Sequence, residues 1–250
     1  MTELFGITNI YYFLAIIPIV AFLYSSVGHG GASGYLALMA IFAFPTTYMK
    51  PSALLLNILV AGISFYYYRK NNHFNWKLFY PFAITSIPAS FIGGFLNVNP
   101  QIYKQILGAL LILSVLRLLG FLGGKQHTTK AKINIPIALI AGASIGFFSG
   151  MIGIGGGIIL SPLILLLNWG NMKETAAVSA LFIWVNSIAG MLGLLSSGVQ
   201  IPIASIPIAF FAVIGGILGG YYGAKKTNNV RLKYILAFVL VIASIKLIFV

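Results

Sequence analysis

Gly150-Met151-Ile152-Gly153-Ile154-Gly155-Gly156-Gly157 interrupts an apolar run in the second half of the chain, and Ser26-Val27-Gly28-His29-Gly30-Gly31 does the same in the first. Each break is followed by a short apolar stretch, 31–44 or 155–168. About fourteen residues give roughly 21 Å of helix at ~1.5 Å each, against a hydrocarbon core of about 30 Å. Glycine permits the turn and a close backbone approach. Non-helical backbone at membrane depth must line a cavity or be buried in protein, because its N–H and C=O groups find no partner in lipid. These two breaks decide how the rest of the chain is read.

The same ruler divides the chain into ten apolar segments. The first five are 10–26, 31–44, 51–68, 78–96 and 102–121, and the second five are 133–149, 155–168, 175–195, 201–222 and 232–249. Between them Gly123-Gly124-Lys125-Gln126-His127-Thr128-Thr129-Lys130 is polar and basic. It reads as a linker, 123–132, between a first membrane repeat, 1–122, and a second, 133–250. Local matches recur in the same order in the two halves. Val27–Gly31 parallels Ile152–Gly156, and Ser52-Ala53-Leu54 parallels Ser179-Ala180-Leu181. Ile92-Gly93-Gly94 parallels Ile214-Gly215-Gly216, and Lys104-Gln105-Ile106-Leu107 parallels Lys233-Tyr234-Ile235-Leu236. Ordered matches of this kind indicate a duplicated five-element unit.

Composition agrees with a membrane protein. Of 250 residues 60% are hydrophobic, 7% are charged and none is cysteine, whereas a soluble domain carries roughly a quarter charged residues. Cysteine-held metals, thiolate catalysis and a disulfide scaffold are excluded. The net charge of +13 is spread in short clusters between apolar runs, which points to positive-inside loops rather than to nucleic acid. The N-terminus has no basic n-region, so the opening segment reads as a retained span. Arg69, Lys70 and Lys77, the linker lysines, and Lys225, Lys226, Arg231 and Lys233 then face the cytoplasm. For all of them to do so, the first two segments of each half must form a hairpin that enters and leaves on one side. That side is outside for the first half, carrying Lys50, and inside for the second, carrying Lys173. The expected architecture is all-α and polytopic: two inverted five-element repeats, each with a glycine-broken hairpin and a short helix, in the cytoplasmic membrane with both termini outside.

The candidate site follows from helix ends. A helix N-terminus after a glycine turn presents free N–H groups and the positive end of the dipole, which suits a small oxyanion. Gly30, Gly31 and Ser33 open one short helix; Gly155, Gly156 and Gly157 open the other. The alternative reading gives these glycines only helix packing. Ser52, Ser179, Asn57 and Asn186 are further substrate-binding candidates inside apolar segments, and the asparagines equally read as ties between helices. His29, in the first break, is a candidate for proton coupling or a turn histidine bonded to backbone. Its counterpart in the second half is Ile154. With Glu3 and Glu174 as the only acids, carboxylate relays and acid–base pairs are largely absent. No enzyme, cofactor or metal site is expected.

With breaks, short helices and duplication in place, the chain resembles the sulfite exporter TauE/SafE family. The likeness is carried by Gly150–Gly157 with Pro162, by Ala176-Ala177-Val178-Ser179-Ala180-Leu181, by Asn186-Ser187-Ile188-Ala189-Gly190, and in the first half by Ser26–Gly31 and Pro51-Ser52-Ala53-Leu54. The resemblance implies a multi-pass transporter of sulfite, sulfonates or other small sulfur-containing anions, usually outward. The expected partners are the bilayer and a small anionic substrate, with a homodimer allowed and no nucleic acid. An anion channel and a non-transporting membrane scaffold or assembly factor are the alternatives.

Overall fold

The computed structural model describes residues 10–121 and 130–225, with 241, 244 and 245 besides. The regular elements among them are α-helices: α1 (Ile10–Ser25), α2 (Ala32–Ile41), α3 (Thr46–Lys70), α4 (Trp76–Phe95), α5 (Pro100–Leu118), α6 (Ile135–Ile152), α7 (Gly157–Leu166), α8 (Met172–Ser196) and α9 (Ser205–Lys225). Helices α3, α4, α6, α8 and α9 are long and apolar enough to cross a membrane. The tenth expected segment, apart from 241, 244 and 245, the linker residues 123–129, both termini and Lys226, Arg231 and Lys233 lie outside the described residues.

Helices α3 and α8 start earlier than expected by the widest margins. Helix α3 begins at Thr46, so Pro51 lies in its second turn rather than at its first position. A proline this near the start removes an N–H whose acceptor lies in the first turn and leaves the rest of the ladder intact. Helix α8 begins at Met172 because Asn171 and Glu174 form a capping box. The two short helices hold 10 residues each, shorter than the apolar stretches that contain them.

Packing interleaves the halves. Helix α6 carries Gly142, Gly146 and Gly150 against the backbone oxygens of Phe82, Ser86 and Ser90 of α4. Helix α9 carries Gly215, Gly219 and Gly223 against those of Pro18 and Phe22 of α1 and of Ser26 just beyond its end. Both pairs run parallel and advance four residues per contact, as small residues spaced by one helical turn allow. Each pair joins one half of the chain to the other. Between α3 and α8 the order is reversed: Leu54 meets Met191 and Leu194, Gly62 faces Trp184, and Tyr68 packs on Ala176 and Ala177. These two helices are therefore antiparallel through the middle of the bundle.

The two hairpin lysines occupy opposite ends of this antiparallel pair. Lys50, early in α3, donates to Gly94 O at 2.9 Å, beside the C-terminus of α4. Lys173, early in α8, donates to Gly223 O at the C-terminus of α9. A cation at a helix C-terminus meets carbonyls that have no intrahelical donor and the negative end of the dipole.

Candidate functional site

The first glycine turn begins near the far end of α3. Ser64 Oγ donates to Ser25 O at 3.0 Å and Tyr68 Oη donates to Ser26 O at 2.9 Å, while Gly28 lies against the backbone of Ala176. From there the chain returns inward, and α2 starts beside Asn57, near the middle of α3. The second turn approaches from the opposite end. Gly153 packs on Lys50, and by Gly155 the chain has reached the same Asn57. Gly31 and Gly156, the N-cap residues of α2 and α7, have φ of 98° and 78°. Those values suit glycine and strain any other residue except as an isolated exception.

Asn57 stands between the two turns. Its Oδ1 accepts from Ala32 N at 3.1 Å, at the start of α2, and any side chain at Gly30 would fall on this amide. Its Nδ2 faces the other turn: a Cβ at Gly155 would sit 2.8 Å from Nδ2 and 3.1 Å from Ser187 Oγ. Asn57 and Ser187 are fully buried, and both Asn57 Nδ2 and Ser187 Oγ lack a hydrogen-bond partner. Tyr35 Oη, also unpartnered, lies against Gly31. Unbonded donors are rare in a packed interior, because each costs about 1–3 kcal/mol of desolvation. Here three of them gather at two helix starts, whose first-turn N–H groups also precede any intrahelical acceptor. Ile183 of α8 fills the gap, touching the positions of Gly30, Gly155 and Gly157.

His29 bridges the turns. Its Nδ1 lies 2.9 Å from Val27 O, and its Nε2 lies 3.0 Å from Gly157 O and 3.2 Å from Ser161 Oγ. Ser161 Oγ is in turn 2.7 Å from Ser179 Oγ. A neutral imidazole donates from one nitrogen only, so donation to both carbonyls needs the doubly protonated ring.

The sequence candidates divide accordingly. Gly30, Gly155, Gly157, Asn57 and His29 come together, with Gly31 and Gly156 capping the adjoining helices and Ser179 one hydroxyl away. Ser33 is taken by Tyr24, whose Oη lies 2.6 Å from its Oγ. Ser52 pairs with Ser205 at 2.7 Å, tying α3 to the start of α9. Asn186 spends its Nδ2 on Phe182 O of its own helix at 2.8 Å, while its Oδ1 has no partner. Sequence reasoning did not single out Tyr35 or Ile183, and it quoted Ser187 only within the stretch Asn186–Gly190 that carries the family likeness. Among the described residues no group of three or more His, Asp and Glu side chains comes together.

Residues 13–247 match the family model described as sulfite exporter TauE/SafE. A probable membrane transporter protein of Sinorhizobium fredii is 36% identical over 238 residues, 92% of this chain and 94% of its own. Another, from Methanocaldococcus jannaschii, is 28% identical over 184 residues, 69% of this chain and 67% of its own. No solved structure matches. Nearly the whole chain is thus covered by one family model and by a relative of almost equal length, and the protein belongs to the sulfite exporter TauE/SafE family of membrane proteins.

Proposed function

We propose that this protein is a secondary transporter that exports a small sulfur oxyanion or organosulfonate, held midway through the bundle between the starts of α2 and α7. The observation that carries the reading is the cluster of donors without acceptors, Asn57 Nδ2, Ser187 Oγ and Tyr35 Oη, at two helix N-termini. The Asn57 amide nitrogen can only donate and the two hydroxyls can each donate, which suits a ligand made of acceptor oxygens. Gly30, Gly31, Ser33, Gly155, Gly156 and Gly157 shape the two tips, Ser52 and Ser179 brace the helices behind them, and Asn186 keeps a free Oδ1 on α8.

The transport cycle follows from two-fold architecture. The exchanged pairs α1 with α9 and α6 with α4, together with antiparallel α3 and α8, support two repeats of opposite orientation. Rocking one repeat against the other withdraws Ile183 and opens the tips to alternate faces. An interior-negative potential contributes ~2.3 kcal/mol per charge per 100 mV toward expelling an anion, so export needs no coupled ion. Where a proton does participate, His29 carries it, because protonation lets the ring donate to both turns. The ring's named contacts are two carbonyls and the Ser161 hydroxyl, none of them titratable in the physiological range.

The test is flux of labelled sulfite, sulfoacetate and thiosulfate in proteoliposomes. A carrier gives saturable uptake stimulated by substrate on the opposite side. Sustained unitary currents in a voltage-clamped bilayer would select a channel instead. Absence of flux for all three, with a partner complex disturbed by changes at Gly31, Gly156 and Asn186, would select a scaffold.

A further inference from the structure

A cavity of ≈ 180 Å³ opens at the end of the bundle where α3 begins, lined among others by Thr46, Thr47, Lys50, Asn97, Tyr103 and Met151. We propose that this cavity is an outer vestibule in which Lys50 receives small oxyanions as they leave the glycine turns. The inference deepens the transport reading and rests on it for the identity of the solute.

Three features point to an anion. Lys50 is 8% exposed, and two of its three donors are used by carbonyls, Gly94 O at 2.9 Å and Leu96 O at 3.4 Å. Neither partner carries a compensating charge. The one acid among the described residues, Glu174, pairs with Lys130 at 2.6 Å and sits beside Lys173, at the start of the antiparallel helix. A buried cation opposed only by carbonyl dipoles makes the cavity electropositive, and low-dielectric walls concentrate that field on the mouth. Thr46, Thr47, Asn97 and Tyr103 are the other polar residues of its lining.

The floor of the cavity joins it to the central site. Met151 lines it, and Tyr103, another lining residue, donates its hydroxyl to Ile152 O at 3.1 Å. Gly153, next along the chain, packs on the backbone and Cγ of Lys50. Two residues further the same segment reaches Asn57. The glycine-rich break thus forms the vestibule floor at one end and a tip of the central site at the other. Movement of this break couples the two compartments.

The chain has no cysteine, so one introduced thiol reports on the vestibule without interference. Asn97→Cys in the full chain is labelled with a negatively charged methanethiosulfonate, the ethylsulfonate reagent, and with its trimethylammonium counterpart of opposite charge. The ratio of the two rates is compared with that of a free thiol in solution. The proposal expects the anionic reagent to be favoured by roughly tenfold over that reference, with the preference removed by Lys50→Gln and kept by Lys50→Arg. Methanesulfonate at millimolar concentration slows the anionic reagent. A lysine that only caps α4 leaves the ratio at the free-thiol value in all three proteins, and that result overturns the proposal. Should Lys50→Gln fail to fold, the ratio in Asn97→Cys alone and its response to methanesulfonate still decide. Labelling needs no flux, so a transport assay in which Asn57→Ala retains activity removes the central-site reading while leaving this result to stand or fall by itself.

Discussion

Asn57 carries one carboxamide to the point where both glycine turns arrive, and it divides its two ends between them: Oδ1 bonds the start of α2 and Nδ2 faces Gly155. The sequence marked this residue as a polar group inside an apolar segment whose start it set at Pro51. With α3 beginning at Thr46, Asn57 is central. Asn186 shows the opposite outcome, since its NH₂ is spent inside its own helix. An amide in an apolar run signals a buried bond; which partner it takes depends on the chain opposite. Ile183 is the apolar counterpart, filling the space between the tips. Replacing it by alanine removes the plug at a cost of about 2–5 kcal/mol in stability and is expected to raise sulfoacetate flux relative to sulfite, measured as the ratio of the two initial rates. An unchanged ratio places the selectivity elsewhere. His29→Gln keeps a hydrogen-bonding side chain but cannot be protonated. With His29 carrying the coupled proton, sulfoacetate flux is expected to change between pH 5 and 8 in the wild type and to stay flat in the variant.

At the scale of elements, the breaks and the short helices were legible because glycine clusters and short apolar runs are local signals. What the short helices pack against was not, since it depends on residues far along the chain. The same holds for the parallel pairs α1 with α9 and α4 with α6: the glycines are visible in the sequence, but the oxygens of Ser86 and Phe22 that meet them are not. These pairs give a direct stability prediction. A side chain at Gly146 or Gly219 falls on backbone oxygen, which cannot swing aside as a flexible side chain would. Gly146→Leu and Gly219→Leu are each expected to cost about 1–3 kcal/mol or more, seen as a lower midpoint of thermal unfolding in detergent. Equal midpoints for both variants and wild type would contradict the close helix approach.

For the whole molecule, the antiparallel course of α3 and α8 sets Lys50 and Lys173 at opposite ends. Single cysteines at Asn97 and Lys70 are therefore expected to react with an impermeant maleimide from opposite faces of intact cells, Asn97→Cys from outside and Lys70→Cys after lysis. Reaction of both from outside contradicts the orientation. The account as a whole stands on the meeting of two tips at Asn57. Counterflow of labelled sulfite into proteoliposomes by Asn57→Ala tests it most directly, alongside Ser52→Ala, whose hydroxyl the structure assigns to Ser205. Loss of roughly 1.4 kcal/mol of binding in the transport step predicts a tenfold or greater fall for Asn57→Ala, with folding intact and Ser52→Ala close to wild type. Wild-type counterflow in folded Asn57→Ala would contradict it.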